Sequence, residues 1–404
     1  MPDSLVLSIQ QKFQSWFTRA QAKAKETDND LTDLPENIAD QIERQLQKLT
    51  SPKAYQSTIQ EAIATGVADW QQRLSASNSL VILGSPVEPI ADIMHESLHD
   101  WQDAPLHLIV PLDCRTRPTD PLMMTQRFRQ ALEPYPVSLE QEEGDRPEVD
   151  QLGDQLGEQL GDRLTLLVIP SLDQCFLRCI GGWDGIEYLR DLSIRNRNCF
   201  WVVGCSHWAW NYLDFVCQIS AYFSEVTPLP DLEGDMLQDW LDPIAKTVIE
   251  IEHSEEDEGD RQPYWKNLAS QSSRVSSIAV QLWLQSLHIQ KDDLEAAQDL
   301  TDEKLTEGKL PFKLHETPPV LPSLPSLNVI DRYILHSLLI HNYATHAHLA
   351  LSLGEPESQI QSRVQRLLRE RVLELRQGKL SVRAIYYAKL KTELANNNFF
   401  VGED

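Results

Sequence analysis

Ser79-Leu80-Val81-Ile82-Leu83-Gly84-Ser85-Pro86-Val87-Glu88-Pro89-Ile90-Ala91 decides the fold. Leu80 to Leu83 is wholly apolar, a glycine turn follows, and from Val87 to Trp101 the apolar residues return at helical spacing. A short apolar run of this kind reads as a strand buried on both faces, since a strand wet on one side alternates. The texture recurs downstream at Leu106 to Val110, Leu164 to Ile169 and Cys199 to Val203. Helical patterns follow each run: Pro121 to Leu132, a stretch through Cys175 and Tyr188, and Trp208 to Phe223. Strand alternating with helix predicts an α/β domain with a parallel sheet, spanning 79–228.

Outward from this core the pattern changes. Leu5, Ile9, Phe13 and Phe17, then Ile59, Ile63, Val67 and Trp70, trace helical stripes, so 1–78 is expected as an N-terminal helical arm. Glu233 to Ile244 and Trp265 to Leu287 predict a helical lid over 229–305. Prolines at 311, 318, 319, 322 and 325 forbid a helix or a central strand, which makes 306–328 a semi-rigid linker. Residues 329–395 read as helix, helix, helix and hairpin, with Gly354 closing the second helix, Pro356 opening the third and Gln377-Gly378 turning the hairpin. That order predicts a winged helix. Two acidic insertions, about 139–162 with its Asp-Gln-Leu-Gly repeats and His253 to Asp260, are expected as solvated loops, the first disordered.

Composition bounds the function. The 404 residues carry 36 Lys plus Arg against 61 Asp plus Glu, a net charge of −25. Such a chain does not wrap nucleic acid with its whole surface or lie on an anionic membrane. No apolar run reaches the ~18 residues that span a bilayer, and no secretory signal pattern opens the chain. Six cysteines, mostly inside apolar segments, fit a reducing compartment, so a cytoplasmic location is expected.

The order of parts resembles an AAA+ or STAND-type P-loop NTPase, in the subgroup similar to origin-recognition ATPases with a C-terminal winged helix. Leu80 to Met94 stands where the Walker A strand, loop and helix would be, and Leu166 to Ile169 where the Walker B strand would be. Phe200 to Ser206 resembles the sensor-1 strand, and Thr227-Pro228-Leu229-Pro230 with Leu237 and Trp240-Leu241 resembles the passage into the lid. The departures fall on the chemistry. A working loop is G-x-x-x-x-G-K-[ST], its backbone N–H groups, lysine and hydroxyl cradling phosphates and Mg²⁺. Here the remnant is Gly84, Ser85, Pro86, Val87 and Glu88, followed by Pro89 for the second glycine, Ile90 for lysine and Ala91 for the hydroxyl residue. Glu88 adds a negative charge where phosphates would lie, and Pro170 and Ser171 follow the second strand where Asp and Glu would hold metal and water. Asp173 comes too late in the chain to take that place. Hydrolysis is therefore not expected, no cofactor is expected, and ATP or ADP binding is disfavoured.

Other chemistry in the same crevice has candidates. Ligands bind at the carboxyl ends of strands in open α/β sheets, which singles out Asp113, Asp173 and Ser206. Cys205-Ser206-His207 offers a nucleophile beside a base, although adjacent residues at a strand end point different ways and small residues at a turn explain them. Cys175 and Cys179 at i, i+4, with Cys199 or Cys217, allow a metal reading; buried free cysteines acting as small hydrophobes are the plainer one. Seven of the ten tryptophans lie between Trp183 and Trp283, and a two-residue step on a helix is ~200°, so one of Trp208 and Trp210 is expected near the surface. The basic residues concentrate in the C-terminal module: Arg363, Arg366 and Arg369 along its third helix, Arg376 and Lys379 at the hairpin. This face suits either an acidic protein partner or DNA phosphates. The leading expectation is a non-catalytic regulatory or scaffold protein with an unknown protein partner. The alternatives are an ATP-binding switch with weak or no hydrolysis, and a winged-helix DNA-binding regulator.

Overall fold

The computed structural model describes residues 30–73, 76–99, 101, 107–109, 117–132, 165–195, 199–248, 250–251, 262–298 and 312–402. The chain starts with β1 (Leu31–Asp33), α1 (Glu36–Leu46) and α2 (Lys53–Gln72). The alternating part comprises β2 (Ser79–Gly84), α3 (Ile90–His99), β3 (His107–Ile109), α4 (Met123–Leu132) and β4 (Thr165–Ile169). It continues with α5 (Asp184–Arg195), β5 (Cys199–Ser206), α6 (His207–Cys217) and β6 (Glu225–Pro228). Next are α7 (Gly234–Val248), β7 (Glu250–Ile251), α8 (Gln262–Gln271), α9 (Ser276–Ser286), β8 (Leu287–Gln290), α10 (Leu294–Gln298) and β9 (Lys313–Glu316). The last module holds α11 (Val329–His341), β10 (Tyr343–Ala344), α12 (His346–Leu353), α13 (Glu357–Arg369), β11 (Leu373–Arg376), β12 (Lys379–Val382) and α14 (Tyr387–Asn396).

The described residues group into two compact units. The larger takes 50–232, 275–278 and 322–402, and the smaller 30–49, 233–274 and 279–321. The expected arm over 1–78 is thus shared between them, dividing at Leu49 and Thr50; its first stripe, Leu5 to Phe17, lies outside the described residues.

In the larger unit five strands pair in parallel, in the order β3-β4-β5-β2-β6. Every residue of β2 and β5 is buried, which is why neither alternates. The β2–β5 register sets Leu83 opposite Cys205 and Gly84 opposite Ser206, so the loop after β2 opens beside the end of β5. The C-terminal module folds its helices against an antiparallel sheet ordered β10-β12-β11. Asn328 with Asp331 and Thr345 with His348 form capping boxes on α11 and α12. Gln377 and Gly378, both at positive φ, close the β11–β12 hairpin.

The smaller unit departs from the helical lid. It contains a four-stranded sheet, β1-β8-β9-β7, that the sequence did not announce. β9 lies inside the segment assigned as linker, in the proline-free stretch Lys313–Glu316. Further along, exposure repeats every third residue. Val320, Ser323 and Ser326 face water while the residues between them are half-buried, the period of an extended polyproline helix.

Candidate functional site: the strand-end crevice

The loop after β2 turns two of its amides onto itself. The Glu88 amide donates to the Ser85 carbonyl and the Ile90 amide to the Glu88 carbonyl, each at 2.9 Å. Ile90, in the lysine position, is buried, and its side chain packs beneath Gly204 of β5. Gly204 is required there: a Cβ would sit 2.3 Å from the Pro170 carbonyl oxygen, at the turn that replaces the acidic pair.

Glu88 does not face an open phosphate site. It is 1 % exposed. Its carboxylate accepts the Ser276 amide at 2.8 Å, the Ser276 hydroxyl at 2.9 Å and the Tyr55 hydroxyl at 3.0 Å. A carboxylate at the first turn of α9 suits the partial positive charge of a helix N-terminus. Burial pushes the Glu88 carboxyl up, with the Ser276 and Tyr55 donors pulling the other way.

Asp173, expected at the strand ends, lies there. A 3₁₀ turn at Leu172–Gln174 folds it back onto the end of β5. Its carboxylate takes the Ser206 hydroxyl, the Ser206 amide at 3.1 Å and the Ser171 hydroxyl at 3.3 Å. Burial raises this carboxyl too, against the Ser206 donors. Asp173 and Ser206 are therefore brought together as candidates, while Asp113 lies outside the described residues. The Ser206 hydroxyl donates to Asp173 and accepts the Ala209 amide as the cap of α6.

The crevice is closed by the chain's own C-terminal module. The turn His341-Asn342-Tyr343, between α11 and β10, lies against the loops that follow β2 and β4. Asn342, at φ 61°, donates its amide to the Glu88 carbonyl at 3.0 Å. Gln174 donates to the His341 carbonyl at 2.7 Å, and the Arg178 amide donates to His341 Nε2 at 3.3 Å. Arg117, 6 % exposed, gives its guanidinium to the Tyr343 carbonyl at 3.0 Å, to the His341 carbonyl at 3.4 Å and to the Asp173 carbonyl. Burial lowers the Arg117 pKa to about 10, so it stays a cation at neutral pH. Against the P-loop pattern, Ile90 and Ala91 stand where a lysine and a hydroxyl would be, Pro170 and Ser171 where the acids would be, and buried Glu88 adds an anion beside them.

The remaining candidates separate. Cys175 ends the 3₁₀ turn and Cys179 lies in the loop after it, so the two do not share a helix. Among the described residues no group of three or more His, Cys, Asp or Glu is placed to hold a metal. Trp208 is 0 % and Trp210 6 % exposed, which corrects the expectation that one is near the surface. α6 is covered on more than one side: Trp208 donates to the Tyr387 hydroxyl at 2.9 Å and lies against Gly402 of the C-terminal tail.

The basic face is also reduced. Arg366 folds onto its own module, pairing with Glu370 at 3.0 Å and with buried Asp331 at 3.5 Å, and donating to the Ser326 carbonyl at 2.7 Å. Arg376 pairs with Glu374 at 3.0 Å, and Lys379 lies 4.5 Å from the Tyr343 ring centroid. Arg369 is exposed and Arg363 half-buried. Sequence reading missed Tyr55, Arg117, Ser276 and Asn342, which meet the crevice from distant segments and belong to no motif.

No family model matches the sequence, and no curated protein matches it. Solved structures do. Pyrobaculum aerophilum Cdc6p is 14 % identical, with a TM-score of 0.35 over 92 % of this chain and 100 % of that one. The Aeropyrum pernix ORC1 protein in complex with DNA is 13 % identical, with a TM-score of 0.34 over 85 % and 94 %. Thermotoga maritima RuvB is 14 % identical, with a TM-score of 0.30 over 82 % and 93 %. The larger unit of this chain has a parallel five-stranded sheet with flanking helices.

Proposed function

We propose that the chain is a non-catalytic regulatory or scaffold protein on an AAA+-like core, with a winged-helix module for docking a protein partner. One observation carries this reading: Arg117, Gln174 and Asn342 hold the module's own turn across the strand ends. The loop after β2 supports it, since its Glu88 and Ile90 amides and the buried Glu88 carboxylate are committed within the chain. No nucleotide cofactor is proposed. Among the described residues no helix is long and apolar enough to cross a membrane. The test is phosphate release from ATP and Mg²⁺ by the full chain. No turnover above buffer is expected; turnover that disappears when a crevice residue is replaced would overturn the reading.

A second reading, contact with duplex DNA, has one observation in its favour. Beyond its first turn, where Glu357 is exposed, the exposed residues of α13 are Gln361, Ser362, Gln365 and Arg369, polar or basic. A salt-dependent gel shift separates the two, because each phosphate contact adds about 0.9 to the salt slope.

A further inference from the structure

Three buried histidines lie in the C-terminal module and where it meets the α/β core, and their hydrogen bonds leave no place for a second proton. His341 Nε2 accepts the Arg178 amide at 3.3 Å, and its Nδ1 is buried with no hydrogen-bond partner. His348 Nδ1 accepts the Thr345 amide at 3.3 Å, so its Nε2 is the donor to the Pro118 carbonyl at 2.9 Å. His336 Nε2 donates to the Phe400 carbonyl at 2.8 Å, and its Nδ1 is buried with no partner. A proton added to His341 or His348 would point at an N–H; one added to His336 would find no acceptor.

The surroundings are cationic or aromatic. His341 faces Arg117, Arg178 and the Phe176 ring at 4.8 Å, with the other two histidines adding to its charge environment. His348 faces Arg117. His336 faces Arg178, Trp208 at 5.8 Å and Phe399 at 5.2 Å. No carboxylate among the described residues hydrogen-bonds to any of the three rings.

We propose that His336, His341 and His348 form an acid-sensitive latch that holds the α11–β10 turn in the crevice and releases it on protonation. This rests on the reading of the crevice as self-occupied, not on the identity of any partner. The sign follows from the groups themselves. Burial lowers His336 and His348 to about 4 and His341 well below its usual value, so their stabilisation is complete above the unfolded value near 6.5 and is lost as pH falls from there towards 4. Glu88 and Asp173, the buried carboxyls of the crevice, are shifted up and act in the opposite sense. Acid release therefore belongs to the histidines.

The test is thiol labelling of the full chain with 4,4′-dithiodipyridine, read peptide by peptide from pH 7.5 to 4. Cys175 is 0 % exposed beside Gln174 at the latch, and Cys199 is 1 % exposed at the far end of β5. Their ratio cancels the pH dependence of the reagent. Titration of even one such ring supports a rise in the Cys175 to Cys199 ratio of about tenfold or more by pH 4. In His336→Gln and in His348→Gln, where a glutamine amide can keep the donated bond, one titrating ring is lost and the rise should be smaller than in the wild type by about tenfold, the share of that ring. Both cysteines opening together would mean global unfolding and would overturn the latch. So would a wild-type profile in both variants. Should one variant already be open at pH 7.5, the other decides. Turnover of ATP in the same protein would overturn the functional reading without touching this one.

Discussion

Arg366→Glu is expected to destabilise the C-terminal module by about 3 kcal/mol, whether or not any ligand is present. The guanidinium joins Glu370, the Ser326 carbonyl and Asp331, whose side chain is 0 % exposed. Reversing its charge leaves Asp331 buried beside a second anion, and removing one partner of a buried pair costs roughly 3–5 kcal/mol. The lower end applies because Arg366 itself is 38 % exposed. Urea unfolding followed by circular dichroism measures it. Arg369→Glu, on the exposed side of α13, should stay within about 0.5 kcal/mol. Equal and negligible effects from both would restore the view of α13 as a uniformly solvated basic face.

Trp208→Ala is expected to cost about 3–5 kcal/mol, the range for emptying a buried aromatic site. The indole is fully buried, donates to Tyr387 of α14 and packs on Gly402 and His336. The loss should appear as a lower unfolding midpoint at unchanged denaturant slope. A change below 1 kcal/mol would mean that Trp208 sits at a surface after all.

The sheet was legible because each central strand is buried on both faces and so leaves an unbroken apolar run. The second sheet was not. β8 alternates, with Leu287 and Ile289 buried, but it directly continues the helical run of α9, so period 3.6 masks period 2. β1 and β7 are three and two residues long, too short for any periodicity to register. The departures from the P-loop pattern are a local matter of Pro89, Ile90 and Ala91 in the sequence itself. What fills the crevice is not local. Asn342 reaches Glu88 across 254 positions and Arg117 reaches Tyr343 across 226, and nothing in either neighbourhood announces the pairing. Asp173 was legible as a strand-end candidate, but its bond to Ser206 was not, because counting along the chain does not see the 3₁₀ turn that folds the carboxylate back. The tryptophan pair failed on a different assumption, that a helix has one covered side, whereas α6 meets both the sheet and the C-terminal module.

The central proposal is that this crevice is filled by the chain itself rather than by a nucleotide. Isothermal titration of the full protein with ATP and with ADP, each with and without Mg²⁺, tests it most directly. The account predicts no saturable heat in any of the four titrations. Saturable binding of either nucleotide that is lost on replacing Glu88 or Arg117 would contradict it.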